Sequence, residues 1–148
     1  MSHFASPERH MVMNKASKGP STIVIVGAGY AGIAAANRAA RTHRVILVNE
    51  RPDFVDRIRL HQHLATGREV RTPLTDMVRR GVQVVVARVE RIGDGVVTLA
   101  DGSRLDADHV VVASGSGAGV GTLPWAEEAR RALCELPTGG NVTILGAA

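Results

Sequence analysis

The sequence predicts an α/β fold: a parallel sheet with a βαβ unit and an antiparallel β-meander in place of one crossover helix. Three observations support it. Two uniformly apolar runs, Ile23–Val26 and Val45–Val48, enclose an alanine-rich segment with helical spacing, and a later Asp101–Gly102 turn separates short strand-like runs. Uniformly apolar strands are typical of parallel sheets that helices cover on both faces.

The first unit is the clearest. The run Ile23–Val26 has the length and β-branching of a buried strand, and Gly27 ends it. Tyr30–Arg41 is predicted as a helix because it is alanine-rich. In it, the apolar residues Ile33 and Ala34 and the polar residues Asn37, Arg38 and Arg41 recur at helical spacing. The short connection to Val45–Val48 completes a Rossmann-like βαβ unit.

The middle of the chain is predicted to leave this pattern. A polar stretch, Arg51–Arg71, precedes a short helix at Pro73–Arg80, where proline suits the first turn. Val82–Val89 is predicted as the next strand. The meander and the last strand of the sheet are then predicted at 96–99, 104–105 and 110–112.

The two ends of the chain carry separate predictions. Residues 1–20 mix polar residues and methionines without periodicity and are predicted to be a disordered leader, so that one domain spans 21–148. A glycine-rich connector, Gly115–Leu123, leads to an amphipathic helix at Trp125–Leu136, and a last strand is expected at Val142–Leu145. The apolar side of that helix is predicted to consist of Trp125, Ala129, Leu133 and Leu136.

Composition limits the functional classes. The 148 residues, 45% of them apolar, suffice for one compact core. The net charge is +4, but the basic residues are scattered arginines, among them Arg88 and Arg91, and we interpret them as surface charge rather than a nucleic-acid site. Aromatic residues make up 3%, which excludes an aromatic-rich binder of single-stranded nucleic acid.

Cysteine usage and hydropathy suggest a cytoplasmic protein without a membrane span. The single cysteine, Cys134, cannot form an internal disulfide, a Cys-x-x-Cys redox pair or a multi-cysteine zinc site, and we expect it to be a buried small apolar residue. No metal site is predicted. No apolar run approaches the ~18 to 20 residues of a membrane span, and the N-terminal segment lacks the apolar stretch of a signal peptide.

One motif carries functional information. Residues 27–32 read Gly27-Ala28-Gly29-Tyr30-Ala31-Gly32, a G-x-G-x-x-G sequence that follows a buried strand and opens a helix. Glu50 ends the second strand, 18 positions after Gly32. Such a loop binds the pyrophosphate of a dinucleotide at a helix N-terminus, and the acidic residue accepts hydrogen bonds from ribose hydroxyls.

Each glycine has its own predicted task. Gly27 permits the tight turn, Gly29 lets backbone N–H groups approach the pyrophosphate, and Gly32 allows close packing of helix and strand. Glu50 would repel a 2′-phosphate, so the site favours FAD or NAD over NADP. Two alternatives stay open: the glycines serve only the turn, and Glu50 is an ordinary surface acid.

These residues resemble the two-dinucleotide-binding-domain flavoproteins, and among them the type II NADH dehydrogenase and apoptosis-inducing-factor-like FAD-dependent oxidoreductases. The similarity covers about Thr22–Ala148. It includes the fingerprint with Glu50, the segment Phe54–Gln62, the meander, and Val110–Ser116, which is similar to the family's Ala-Thr-Gly motif with Ser114 in place of threonine.

The resemblance implies FAD as the cofactor of this fingerprint. It also implies that the backbone of Val89 contacts the adenine, that Ser114 and Gly115 lie near the pyrophosphate, and that Arg57–Gln62 lies beside the phosphates or the flavin. We assign no catalytic residue, since His61 is better interpreted as a cofactor-proximal or surface histidine than as a base. The lone Cys134 disfavours the disulfide-reductase branch.

The segment 142–148 resembles the opening of a second fingerprint, the one that binds NAD(P)H in this family, with Ala148 where the second glycine would stand. A complete domain ending in an ordinary strand is the alternative. The resemblance therefore implies the FAD-binding N-terminal part of an NAD(P)H-dependent oxidoreductase that passes electrons through FAD to a quinone or other acceptor.

Two further readings stay open. One alternative is a non-catalytic dinucleotide-binding module. Another is one half of a split flavoprotein that needs a partner chain or, as a homo-oligomer, a second copy of itself to complete it. A flavin amine oxidase or hydroxylase is disfavoured, because no Arg-x-Gly-Gly segment follows Glu50-Arg51.

Overall fold

A computed structural model of the chain describes residues 19–115 and 121–143. Most of the predicted leader, residues 1–18, lies outside these ranges, and so does the end of the last predicted strand, residues 144–145. In chain order the elements are β1 (Thr22–Val26), α1 (Tyr30–Ala39), β2 (Arg44–Asn49), β3 (Asp53–Val55), a 3-10 turn (Arg57–Arg59), α2 (Leu60–Thr66), β4 (Arg71–Pro73), α3 (Leu74–Met77), β5 (Val82–Val86), β6 (Val89–Gly93), β7 (Val96–Leu99), β8 (Arg104–Asp106), β9 (His109–Val112) and α4 (Leu123–Cys134).

The central sheet confirms the predicted α/β class. Four parallel strands run in the order β5-β2-β1-β9. Strands β2 and β9 therefore flank β1 on opposite sides. In parallel α/β sheets this reversal of strand order opens a crevice beyond the carboxyl ends of the strands, where ligands bind.

Apolar side chains on the two faces of the sheet form two parts of the core. On one face Ile25 and Leu47, both fully buried, pack with Ile33 and Ala36 of α1. On the other face Val24 and Val48 pack against the meander, the three antiparallel strands β6-β7-β8. The predicted meander is thus confirmed, and it covers the face where a crossover helix would otherwise pack.

A third cluster involves the segment after β2 and helix α4. Strands β3 and β4 pair antiparallel, and α2 lies between them in the chain. Leu60 of α2 and Val70 pack with Leu123 and Ala126 of α4. This contact joins the segment after β2 to the helix that follows the connector, although about 60 residues separate them in the sequence.

Several predicted elements differ from the structure. The predicted strand Val82–Val89 is two strands in different sheets, because the chain turns at Ala87-Arg88 between β5 and β6. The predicted helix Pro73–Arg80 is reduced to the four residues Leu74–Met77. The polar stretch 51–71 contains β3, the 3-10 turn and α2, which the hydropathy pattern did not reveal.

The C-terminal predictions also need correction. Helix α4 buries Leu123 and Ala126, whereas Trp125, Leu133 and Leu136 on the predicted apolar side are exposed. Polar contacts explain the orientation: a guanidinium N–H of Arg130 donates to the Leu64 carbonyl at 3.1 Å, and Glu127 pairs with Arg71.

Cys134 at the end of α4 is exposed rather than buried. The helix turns the residues near its end toward solvent, since its packed positions are near its start. The predicted strand Val142–Leu145 is not seen in its described part, where Val142 and Thr143 have irregular backbone.

Candidate functional site

The glycine loop follows β1 at the carboxyl edge of the sheet. Gly27 has φ +99°, a left-handed conformation that disfavours side chains, and a Cβ on it would lie 2.5 Å from the Ala113 carbonyl oxygen. Its N–H donates to the Val48 carbonyl at 2.8 Å. Gly27 is therefore required by the close approach of three strand ends, those of β1, β2 and β9.

The other two glycines differ in what surrounds them. A Cβ on Gly32 would lie 1.8 Å from the Gly27 carbonyl oxygen, so Gly32 allows α1 to pack directly on the loop. Gly29 is the N-cap of α1, has ordinary extended backbone, and a Cβ there would meet nothing within 4 Å. No side chain caps this helix start, so its first N–H groups are available to an anion.

Asn49, which the sequence did not single out, fixes the loop to the end of β2. The Ala28 N–H donates to its Oδ1 at 3.0 Å, and its own Nδ2 donates to the Arg51 carbonyl at 2.8 Å. The side chain thus links the glycine loop to the residues around Glu50. The position of Asn49 directly before Glu50 was the one sequence feature that could have pointed to it. Its partner Ala28 is 21 residues away in sequence, so the contact itself could not be predicted.

Glu50 lies immediately after β2 and lines the cleft. Its carboxylate faces Arg88, with 3.6 Å between Oε1 and Nε, and the two side chains are 68% and 77% exposed. An exposed pair at this distance is weak. The carboxylate therefore keeps the capacity to accept hydrogen bonds from a ligand, and Arg88, interpreted above as surface charge, lies next to it.

A cleft of about 480 Å³ opens where the strands end. Seven of the ten predicted site residues line it: Gly27, Ala28, Gly29, Glu50, Val89, Ser114 and Gly115. The other three, Tyr30, Ala31 and Gly32, lie in the first turn of α1 outside the lining. The structure thus brings together residues from the ends of four parallel strands and the start of the meander.

The opposite wall of the cleft comes from the segment after β2. Asp53, Val55 and Arg57 line it at alternate positions, and Thr122 and Pro124 at the start of α4 extend it. The Arg57 Nε–H donates to the Gly121 carbonyl at 3.2 Å, which ties the wall to the loop before α4. Of the segment that resembles the flavoproteins, Arg57 lines the cleft whereas His61 is exposed elsewhere.

Charges around the cleft are mixed. Two carboxylates, Glu50 and Asp53, and two guanidinium groups, Arg51 and Arg57, line it. Such a lining suits a ligand with both an anionic part and hydroxyl groups that donate hydrogen bonds. Within residues 19–115 and 121–143, no group of three or more His, Cys, Asp or Glu residues could hold a metal ion.

Comparison with known proteins identifies the family. The sequence profile of the pyridine nucleotide-disulphide oxidoreductase family matches residues 21–145. The chain belongs to this family. The family as a whole binds flavin, and its members are FAD- and NAD(P)-dependent oxidoreductases. No curated protein sequence matches the chain.

Solved structures in this family share the fold. The sulfide:quinone oxidoreductase of Aquifex aeolicus is 22% identical, with a TM-score of 0.66 over 78% of this chain and 32% of its own. NDH2 of Plasmodium falciparum, solved with NADH, is 15% identical, with a TM-score of 0.64 over 80% and 31%. Putidaredoxin reductase, in a covalent complex with putidaredoxin, is 26% identical, with a TM-score of 0.60 over 78% and 34%.

The chain thus spans about a third of the length of the family members it matches. In the described ranges, none of the helices has the length and apolar character needed to cross a membrane.

Proposed function

We propose that this chain binds FAD in the cleft at the carboxyl edge of its sheet, and that it forms the FAD-binding part of an NAD(P)H-dependent oxidoreductase. In that protein, electrons pass from NAD(P)H through FAD to a quinone or another acceptor. One observation carries the proposal: Gly29 lines the cleft at the uncapped start of α1, with open space where a side chain would stand.

The residues around the cleft suit the parts of FAD. Gly29 and the first N–H groups of α1 would hold the diphosphate, because a helix N-terminus stabilises an anion. Glu50 would accept hydrogen bonds from ribose hydroxyls. The backbone of Val89 would contact the adenine, and Ser114 and Gly115 would lie near the pyrophosphate, as the family resemblance implies.

When bound, FAD supplies the two-electron redox chemistry, and the protein supplies binding and orientation. Gly27 and Asn49 hold the loop so that the N–H groups of α1 are presented without rearrangement. Glu50 orients the ribose and excludes a 2′-phosphate by charge repulsion. We assign no residue of this chain a proton-transfer role.

A binding titration tests the proposal. FAD is added to the purified, flavin-free chain, and flavin fluorescence and anisotropy are followed, with FMN and NAD⁺ in parallel titrations. We expect saturable binding of one FAD per chain and weaker binding of FMN, which lacks the adenosine that Glu50 and Val89 would contact. Failure of FAD to bind, or tighter binding of NAD⁺ than of FAD, would contradict it.

A second candidate is a binding module without catalysis of its own, or one half of a split flavoprotein that needs a partner chain. The edge strand β9 favours it, since Val111 and Val112 are 38% and 63% exposed there. Light scattering distinguishes a second copy from a different partner: a dimer that the substitution Val112→Lys dissociates supports self-association, and a monomer argues against it.

We also propose a cytoplasmic location, because a single cysteine suits a reducing compartment.

A further inference from the structure

The side chain of Tyr30 lies behind one wall of the cleft rather than in it. Its ring packs edge-on against Phe54, with 4.9 Å between centroids and 83° between planes. Its hydroxyl donates to Oδ1 of Asp56. Tyr30 therefore joins the first turn of α1 to the segment 53–57, which forms the wall opposite the glycine loop.

Alternation along that segment separates two sets of side chains. Asp53, Val55 and Arg57 line the cleft. The residues between them contact Tyr30: Phe54 is 5% exposed and part of the core next to α1, and Asp56 accepts the phenol hydrogen bond. Tyr30 thus holds the wall at both positions that face away from the cleft.

Asp56 is itself fixed from other directions. Its Oδ2 accepts from Nε of Arg59 at 3.1 Å, and its backbone N–H donates to the Val70 carbonyl at 2.8 Å. The carboxylate is therefore in place to receive the phenol, and we name the three side chains Tyr30, Asp56 and Arg59 the clasp.

We propose that Tyr30 is a positioning residue of the dinucleotide cleft, which sets the distance between the glycine loop and the wall 53–57 through its contacts with Phe54 and Asp56. Gly29 and Tyr30 are adjacent in the chain. The turn of α1 that presents N–H groups to the diphosphate therefore also holds the opposite wall, and Arg57 with it. This inference rests on the proposed function, since it assigns Tyr30 a role in that same site.

The substitution Tyr30→Phe tests it, because phenylalanine keeps the ring contact with Phe54 and removes the hydroxyl, which donates to Asp56 and also forms a hydrogen bond with the backbone of Ile58. A net hydrogen bond contributes about 0.5–1.5 kcal/mol, so we expect FAD to bind about 2- to 12-fold more weakly. The melting temperature of the flavin-free chain should change by less than about 3 °C, since the hydroxyl is exposed.

Ser103→Ala is the matched control. The Ser103 hydroxyl donates to the Asp101 carboxylate at 2.6 Å in the exposed turn between β7 and β8, away from the cleft. The substitution Ser103→Ala removes the same kind of hydrogen bond, from a hydroxyl to a carboxylate, and the affinity for FAD should stay at the wild-type value. Equal weakening by Ser103→Ala and Tyr30→Phe would overturn the inference, because the effect would then be one of general stability.

A double-variant cycle separates positioning from independent effects. Asp56→Ala removes both carboxylate oxygens, which accept from Tyr30 and Arg59, and we expect it to weaken FAD binding as well. Combined with Tyr30→Phe, this substitution should reduce the free energy of FAD binding by less than the sum of the two single reductions, because both single variants remove the same contact. Strictly additive losses would overturn the inference.

The pH profile gives a readout that a merely structural role does not predict. The pKa of Tyr30 lies above its ordinary value of 10.0, because desolvation and the hydrogen bond to Asp56 favour the neutral phenol, although the hydrogen bond with the Ile58 backbone and the charge of Arg59 act in the opposite direction. The donor is thus present at neutral pH and lost as pH rises through the raised pKa. Wild-type FAD affinity should fall in that range by a step that Tyr30→Phe lacks.

The outcomes are distinguishable. A wild-type chain that does not bind FAD contradicts the proposed function, and this inference falls with it. Equal FAD affinity and the same pH profile in wild type and Tyr30→Phe overturn the inference alone and leave the proposed function intact.

Discussion

Gly29 and Gly93 offer a direct comparison at the level of single residues. Neither has a left-handed backbone, and a Cβ on either would meet nothing within 4 Å. Only Gly29 lines the dinucleotide cleft. A side chain is therefore tolerated by the fold at both positions, but at position 29 it would occupy the space in which we propose that the diphosphate binds.

The substitution Gly29→Val is expected to abolish FAD binding while the flavin-free chain keeps its circular dichroism spectrum and cooperative melting. Gly93→Val is the control, and it should leave FAD affinity within about twofold of wild type, since surface changes away from a site typically alter free energies by less than ~0.5 kcal/mol. Undiminished FAD binding by Gly29→Val would remove the main support for the proposed site.

Glu50 carries the second prediction at this scale. Glu50→Gln removes the charge that strengthens hydrogen bonds from ribose hydroxyls, and we expect FAD affinity to fall about tenfold. Glu90→Gln is a suitable control, because Glu90 is exposed on strand β6 of the meander and does not line the cleft. Isothermal titration of FAD into both variants measures the difference. Equal affinities would favour Glu50 as an ordinary surface acid.

Local spacing in the sequence was enough to single out residues that the structure places at the cleft or directly behind its glycine loop. Gly27, Gly29, Gly32 and Glu50 follow a strand-turn-helix pattern that the backbone imposes within one βαβ unit. Asn49 and the clasp were not predicted, because their partners are 21 and 26 residues away, and a polar side chain gives no sign of which distant group it will meet.

Among the elements, α4 shows where the hydropathy pattern was insufficient. Its sequence offers two candidate faces, one with Trp125 and Leu133 and one with Leu123 and Ala126. The second face is buried because Ala126 permits close packing on α2 and because Glu127 and Arg130 find partners on that side. Arg71 and the Leu64 carbonyl, which hold this face inward, are brought next to α4 only by the tertiary fold, so the sequence pattern of the helix does not reveal them.

This assignment predicts different costs for the same substitution at two positions of α4. Leu123→Ala should lower the free energy of unfolding by about 2–3 kcal/mol, because it removes buried apolar volume. Leu133→Ala, at an exposed position, should change it by less than ~1 kcal/mol. Urea denaturation followed by the fluorescence of Trp125, the single tryptophan, measures both. A larger loss of unfolding free energy for Leu133→Ala than for Leu123→Ala would instead support burial of the face that the sequence pattern predicted.

Short elements were the other gap in the sequence analysis. The apolar runs of β1, β2 and β9 predicted their strands because a buried parallel strand needs no alternation. Strands β3 and β4 have three residues each and lie in polar sequence, so no periodicity could be recognised. The segment that was hardest to predict is also the one that forms a wall of the candidate site.

For the molecule as a whole, the proposals concern one cleft in a chain that spans part of the length of its relatives. The chain corresponds to about a third of the structures it matches, and all that we have proposed for it concerns a single dinucleotide cleft. Hydride transfer to FAD needs a nicotinamide placed against the flavin, and we have identified no second nucleotide site among the described residues.

We therefore expect that NADH added without oxygen does not bleach the absorbance of FAD bound to this chain, whereas dithionite does. Chemical reduction needs no second binding site, so dithionite controls for a flavin that is inaccessible. Rapid and complete bleaching by NADH would show that the chain brings the nicotinamide to the flavin by itself.

The alternation along residues 53–57 has a consequence for insertions and deletions. Because neighbouring side chains point to opposite sides, loss or gain of one residue there would exchange the two sets. A deletion at Asp53 or just before it would turn Phe54 and Asp56 toward the cleft and would turn Val55 and Arg57 toward α1. Length is thus more strictly constrained than composition in this segment, and a frame-preserving deletion of one codon should harm FAD binding more than most single substitutions within it.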